Sequence, residues 1–329
     1  MAQIGQILKK RSAKKVFLIL LGLFSLTFVA LWWIAGTVIS PARRELQEYH
    51  QGYLEASTDH GLIISNHLFL EGRVPALLVQ PDAASGAAER GILIREQLSE
   101  RGFPVPVYGI ARELVVLLHG RNGRKEDLLP VAERLCAVGF ICVIPDLPAH
   151  GESPIETVAF GTSDFEKSLP GKVADAAMAY LQLNSAPQLL WGMSMGGSFA
   201  IHAAHHEPKR WKSLVIVSSF DSLEGVVRDS TFEPVSSLVA PLISFRGGFD
   251  LSEVRPVDLA KTLTLPALII HGVADELIDD SRGRALFEAF AGRKSLILVP
   301  GGTHQNVLVT EAPVYAAMAE WLRTPEKSR

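Results

Sequence analysis

The segment Leu189-Leu190-Trp191-Gly192-Met193-Ser194-Met195-Gly196-Gly197 leaves its backbone few options. An apolar run with the pattern of a buried strand ends at Gly192, and a helix-like run from Ser198 to His206 starts just after Gly197. Between them lies Gly-x-Ser-x-Gly, the pattern of a nucleophile elbow. A sharp strand-to-helix turn brings neighbouring backbone within reach of any Cβ, so glycine is required at its flanks. The turn also holds the serine in strained dihedrals that lift its Oγ above the sheet edge. Met195 then opens the helix with an N–H free to meet developing negative charge. A three-position match of this kind arises by chance in about one chain in ten of this length. Its weight therefore comes from the setting between strand and helix, and from what lies on either side.

The N-terminus is a separate problem. Lys9, Lys10, Arg11, Lys14 and Lys15 precede Val16–Ile39, a run of 24 residues without a charge. That exceeds the roughly 20 residues needed to cross a bilayer and the roughly 7–15 apolar residues of a cleaved signal peptide. Trp32 and Trp33 near its far end fit an interfacial aromatic belt. Ser40-Pro41-Ala42 is a poor cleavage site, so the run is read as a signal anchor. The basic cluster keeps the N-terminus cytoplasmic and places the rest of the chain on the outer side, in the periplasm if the source is bacterial. No Asn-x-Ser/Thr sequon occurs, which fits that placement.

Residues 1–44 hold seven basic side chains and no acid, leaving 25 basic against 35 acidic in the remainder. A body this acidic has no basic face for nucleic acid. The two cysteines, Cys136 and Cys142, fall on a predicted helix end and the next strand and are read as separately buried thiols. They lack the clustered spacing of a metal site. His202, His205 and His206 stand at helical spacing without an acidic partner motif and are read as a surface cluster. No phosphate-binding glycine loop occurs, since His119-Gly120-Arg121-Asn122-Gly123 lacks both the spacing and the lysine of one.

Along the body, Leu62–Leu70 and Val74–Gln80 predict a hairpin at a sheet edge. Residues 81–112 follow, with a helical pattern over Ala88–Glu100 but no clear place in the fold. From Glu113 short apolar runs alternate with helical patterns, including helices predicted over Lys125–Val138 and Gly171–Leu183. Such alternation implies crossover connections and a mostly parallel sheet with helices on both faces.

His119-Gly120 after the third strand, the elbow itself, His271-Gly272-Val273-Ala274-Asp275, and Gly301-Gly302-Thr303-His304 together resemble an α/β-hydrolase over roughly residues 60–325. The branch they look most like is the Bem46-like or serine-aminopeptidase-like one. In that superfamily nucleophile, acid and histidine follow in this order, each at the carboxyl end of a strand. The resemblance implies Ser194 as nucleophile, His304 as general base and Asp275 as its orienting acid, with Asp221 after the sixth strand as a rival acid. It also implies an oxyanion hole made by the backbone N–H groups of Met195 and Arg121, with His119 ordering the loop. Where related chains often have Arg-Gly-His-Gly, this one has Pro148-Ala149-His150-Gly151, which puts the geometry of that loop in question.

The expected organisation is a cytoplasmic basic tail (1–15), a transmembrane signal anchor (16–39), a juxtamembrane linker (40–58) and an α/β-hydrolase domain (59–329). The expected activity is hydrolysis of carboxylic esters or thioesters through an acyl-enzyme, with no metal or organic cofactor. Val235–Phe245 has apolar residues at helical spacing, interrupted by Pro241; it suits either a core helix or a flap over an acyl pocket. The anchor and such a pocket favour a lipid-like substrate with a hydrophobic acyl group. Acyl transfer to another acceptor, amide or peptide cleavage, and a non-catalytic tethered binding module remain open at this level.

Overall fold

The computed structural model of the chain describes residues 2–231, 233–309 and 313–323, with side chains from Lys14 onward, so those of Lys9, Lys10 and Arg11 lie outside the described residues. The chain opens with α1 (Ala2–Ile39) and α2 (Glu48–Glu55). β1 (Leu62–Leu68) and β2 (Val74–Pro81) form the expected hairpin, joined by the single turn α3 (Phe69–Gly72), where Leu70 and Glu71 take left-handed dihedrals. After α4 (Glu89–Glu100) come β3 (Glu113–Leu118), α5 (Leu129–Ala137), β4 (Phe140–Pro145), α6 (Asp164–Tyr180) and β5 (Gln188–Met193). Next are α7 (Met195–His206) and β6 (Trp211–Val217). The long connection that follows holds α8 (Leu223–Ser230), α9 (Glu233–Gly247) and α10 (Pro256–Ala260). β7 (Ala267–Gly272), α11 (Asp280–Ala289), β8 (Lys294–Val299) and α12 (Val314–Arg323) complete the domain.

The strands form one sheet in the order β1-β2-β4-β3-β5-β6-β7-β8. β2 runs antiparallel to both neighbours, and the strands from β4 across to β8 are parallel. Apolar side chains pack in two layers, one on each face, so β4 is buried at every position. This explains why the central strands are continuous apolar runs with no alternation. From β3 the chain winds first to β4 on one side and then back past it to β5 on the other. The connections leaving β3 and β5 therefore diverge, opening a crevice at their carboxyl ends.

Two elements depart from the sequence expectations. α6 begins at Asp164, seven residues before the predicted start, because Ser163 caps it by accepting from Glu166 N at 3.2 Å. Pro170, which argues for a later start, sits inside the helix, where it forfeits one backbone bond. Residues 81–112 lie at the amino end of the strands, away from Ser194. Ile94 and Leu98 of α4 pack into the layer formed by α5 and α12. Arg95 donates to the carbonyls of Ala137 (2.8 Å) and Pro106 (3.0 Å), and Tyr108 donates to that of Gly61. Cys136 and Cys142 are buried free thiols in the same layer.

The stretch Lys14–Ile39 of α1 is long and apolar enough to cross a membrane. Its last turns enter the domain. Ala35 and Ile39 are buried, and Ile39 O accepts from Val158 N at 2.9 Å. The chain beyond stays attached: Arg43 donates to the carbonyls of Gly151 (3.0 Å) and Ser153 (2.5 Å). Tyr49 and His50 both bond Asp127 Oδ1 at 2.8 Å.

Beneath the β3 and β4 loops lies a buried ion cluster. Lys125 Nζ is fully enclosed, 2.9 Å from Asp146 Oδ2 and 2.7 Å from Glu152 Oε2, with Glu126 at 3.1 Å. Burial pushes the lysine's pKa down, but the three carboxylates together outweigh it and raise it, so it stays charged. Removing one partner of a buried pair leaves the other uncompensated. Lys125→Met should thus lower the unfolding free energy by about 3–5 kcal/mol, read from the denaturant midpoint of the full chain in detergent. A loss no larger than at Glu152→Gln, whose side chain is 53% exposed, would contradict this account.

Candidate active site

The end of β5 delivers Ser194 with φ 53° and ψ −119°, a conformation costly for any residue with a Cβ. Its N–H donates to Val217 O (2.9 Å) and its carbonyl accepts from Ser219 Oγ (2.7 Å), so β6 fixes it from the side. The flanking glycines are steric necessities. A Cβ on Gly192 would lie 2.2 Å from Gly196 O, and one on Gly196 would lie 2.0 Å from Leu118 O. The first turn of α7 therefore rests against the end of β3, bringing Gly120 beside the serine; a Cβ there would be 3.3 Å from Ser194 Cβ.

Asp275 and His304 are held together by backbone before any side chain is counted. Ala274 N donates to Gly302 O at 2.9 Å and Val273 N to Val299 O at 3.0 Å, joining the loops after β7 and β8. Asp275 Oδ2 then lies 2.8 Å from His304 Nδ1. Its other oxygen accepts from Leu277 N (3.0 Å) and Ile278 N (2.9 Å). Burial acts to raise this carboxyl's pKa, but the bonds from His304 and Ile278 N–H outweigh it and hold the group ionised, below the usual range. An ionised carboxylate only accepts, so His304 Nδ1 carries the proton of this bond, and in the neutral ring Nε2 is the atom left with a lone pair. Ser194 Oγ has no hydrogen-bond partner among the described residues, so a Ser194–His304 bond is not closed in this state. Such contacts are often loose without substrate.

The N–H groups of Met195 and Arg121 likewise have no acceptor among the described residues. Gly123 N closes the turn that carries Arg121 by donating to Gly120 O at 3.1 Å. The Arg121 side chain reaches away, donating to Thr37 O of α1 at 2.7 Å. His119, fully enclosed, donates from Nδ1 to Gly120 O (2.9 Å) and accepts from Leu147 N (3.1 Å), linking the loops after β3 and β4. Burial depresses its pKa, which keeps it neutral and suited to that double role.

Other sequence expectations sort as follows. Asp221 pairs with Arg282 and bonds Ser222 N at 2.8 Å, with no bond to His304. In the β4 loop Ala149 takes φ 66°, so the left-handed turn survives without the usual glycine and alanine carries its strain. The three histidines of α7 do not form a surface cluster. His202 faces inward, its ring bonded to Ser198 O at 2.8 Å and its pKa pushed down to about 4 by burial, while His205 and His206 face solvent. Sequence reasoning missed His271, a buried neutral ring that donates to Ile278 O at 2.8 Å and lies 3.6 Å from Asp275 Oδ2. Its i, i+4 spacing to Asp275 was the available signal.

Comparison with known proteins completes the picture. The family model described as serine aminopeptidase, S33 matches residues 109–245. A pimeloyl-[acyl-carrier protein] methyl ester esterase of Chromobacterium violaceum is 28% identical over 256 residues, 64% of this chain and 94% of that protein. A monoglyceride lipase of Rattus norvegicus is 26% identical over 245 residues, 62% and 78% of the two chains. The crystallised esterase Pf2001 of Pyrococcus furiosus shares the fold with a TM-score of 0.60 at 16% identity, covering 87% of this chain and 97% of that one.

The contact at Gly196 can be checked directly. Because the obstructing atom is backbone, Gly196→Ala should destabilise the full chain by at least about 2 kcal/mol, measured by chemical denaturation. Gly52, where a Cβ meets nothing within 4 Å, should accept alanine without loss; equal effects at the two positions would refute the steric argument.

Proposed function

The chain is a serine hydrolase of the α/β-hydrolase superfamily, and on that premise we propose that it cleaves carboxylic esters of hydrophobic acyl groups through Ser194, His304 and Asp275, tethered to a membrane by α1. The observation that carries this is the 2.8 Å His304–Asp275 bond, built on two joined loops, on the same sheet edge as the strained Ser194.

In the proposed reaction His304 Nε2 takes the Ser194 proton as Oγ attacks the ester carbonyl. Asp275 keeps the imidazole in the right tautomer and stabilises its cation. The backbone N–H groups of Met195 and Arg121 receive the oxyanion. Collapse expels the alcohol, which takes the proton from His304, and leaves an acyl group on Ser194. Water, deprotonated by the same histidine, then releases the acid. Esters are what the names of the bacterial esterase and the rat lipase denote, and both names support this substrate class. The apolar span of α1 supports the preference for lipid-like acyl groups.

Full-length protein in detergent should react with a fluorophosphonate probe, and Ser194→Ala and His304→Ala should abolish that reaction. Asp275→Asn should lower kcat by about 10³–10⁴-fold. Turnover of nitrophenyl esters should rise with acyl length from two to about eight carbons. Undiminished hydrolysis by Ser194→Ala would overturn the assignment.

Arg121→Ala keeps the backbone N–H but cuts the link to Thr37. It should reduce kcat about tenfold through a displaced oxyanion donor, with KM within about twofold. A kcat loss no greater than that of neighbouring Asn122→Ala would show that the link has no bearing on catalysis.

A further inference from the structure

From Leu238 to Phe245, Ser244 apart, α9 is apolar on both its inner and its outer side. Its inner side, with Val239 and Ile243 fully buried, packs into the core layer that also holds Ala35 and Ile39 of α1. Its outer side presents Leu238, Pro241 and Phe245, with Leu238 54% and Phe245 78% exposed. No charged residue interrupts the helix between Glu233 and Arg246. A surface helix ordinarily carries polar residues outward; an apolar stripe exposed in their place is covered by protein or by lipid.

Its neighbour identifies the cover. The Phe245 ring lies 6.2 Å from that of Trp32, which in turn stacks on Phe28 at 5.9 Å. Arg246 donates to Trp32 O and sits 4.6 Å over the Trp32 ring. The bare stripe of α9 is thus continuous with the apolar surface of α1.

Length makes the connection quantitative. The residues of α1 from Val16 to Ala30 are all exposed, and from Leu31 the helix leans on the domain. Fifteen helical residues span about 22 Å, whereas a hydrocarbon core is about 30 Å thick. The missing 8 Å or so corresponds to Leu31–Ala35, the segment that docks on α9. A helix with Lys14 and Lys15 at one boundary reaches the other only with its docked end still inside the apolar layer.

We propose that α9 is embedded beside α1 in the lipid leaflet on the domain's side, with Leu238 and Phe245 in contact with acyl chains and the Trp32 and Arg246 pair just inside the polar boundary. This rests on α1 crossing the bilayer, as the proposed function has it. Arg246 and Trp32 suit that depth, since tryptophan rings settle near the boundary and extended basic side chains reach out to it. α8 and α9 leave the carboxyl end of β6, the strand next to the elbow, so immersion of α9 brings the site's edge of the sheet to the lipid.

The test reconstitutes the full chain in phosphatidylcholine vesicles and attaches an environment-sensitive fluorophore to single introduced cysteines, Leu238→Cys and Phe245→Cys. Phe24→Cys in the exposed span and Ile92→Cys on α4 serve as references; Cys136 and Cys142 are buried, and the unsubstituted chain gives the background. Spin-labelled phosphatidylcholine should quench positions 24, 238 and 245 at least twofold more than position 92, and aqueous iodide should show the reverse order. If 238 and 245 follow 92 while 24 follows the lipid, the domain stands clear of the bilayer and the proposal fails. It fails equally if both are shielded from both quenchers, which would mean that a second copy of the chain covers the stripe. If position 24 also follows 92, the spanning role of α1 fails with it, independently of whether Ser194 is reactive.

Discussion

Backbone-to-backbone contact between the first turn of α7 and the end of β3 governs this molecule's chemistry. Because Gly196 carries no side chain, the helix sits against Leu118 O, and the loops after β3 and β5 meet where the sheet's connections diverge. Ser194 is raised by that contact, not by any partner of its own side chain. The N–H groups of Met195 and Arg121, which have no acceptor among the described residues, belong to the loops that meet there. In an ordinary fold unpaired donors are a defect. In the proposed reaction they are what a developing negative charge requires, and the strain at Ser194 is the cost of presenting them.

The other half of the site is arranged by different means. The loops after β7 and β8 are tied by backbone bonds, and Asp275 is held by Leu277, Ile278 and His304 with His271 behind it. The carboxylate therefore stays charged although buried, and the imidazole tautomer follows from it. On the opposite flank, Lys125 and Asp146 anchor the loops after β3 and β4 from below, and His119 links them from within. Rigid loops around a flexible reactant are what preorganised charge stabilisation needs.

Much of this was legible in the residues, for identifiable reasons. Gly192, Ser194 and Gly196 mark a turn that few other sequences can make, and alternating apolar runs announce a parallel sheet. Asp275 and His304 follow strands whose ends share one edge, so their pairing follows once the strand order is granted. What escaped was information carried by tertiary contact. The inward turn of His202 depends on which side of α7 meets the core. The early start of α6 depends on a capping serine that outweighs a proline six residues into the helix. The placement of residues 81–112 depends on α4 finding α5 and α12, which no local pattern encodes. The docking of α1 was equally hidden, because an apolar run long enough for lipid looks the same whether or not its end is gripped by protein.

That grip bears on whether the domain can exist without α1. Ala35 and Ile39 belong to the core, and Ile39 O closes a backbone bond with Val158. A protease cutting at Ser40 would release no intact soluble form. It would strip two core side chains and the whole partner surface of α9, opening a cavity beside Val239 and Ile243 and freeing Arg121 from Thr37. The shed fragment would be a damaged, adhesive protein. The end of α1 and the folding of the domain are one property in this chain.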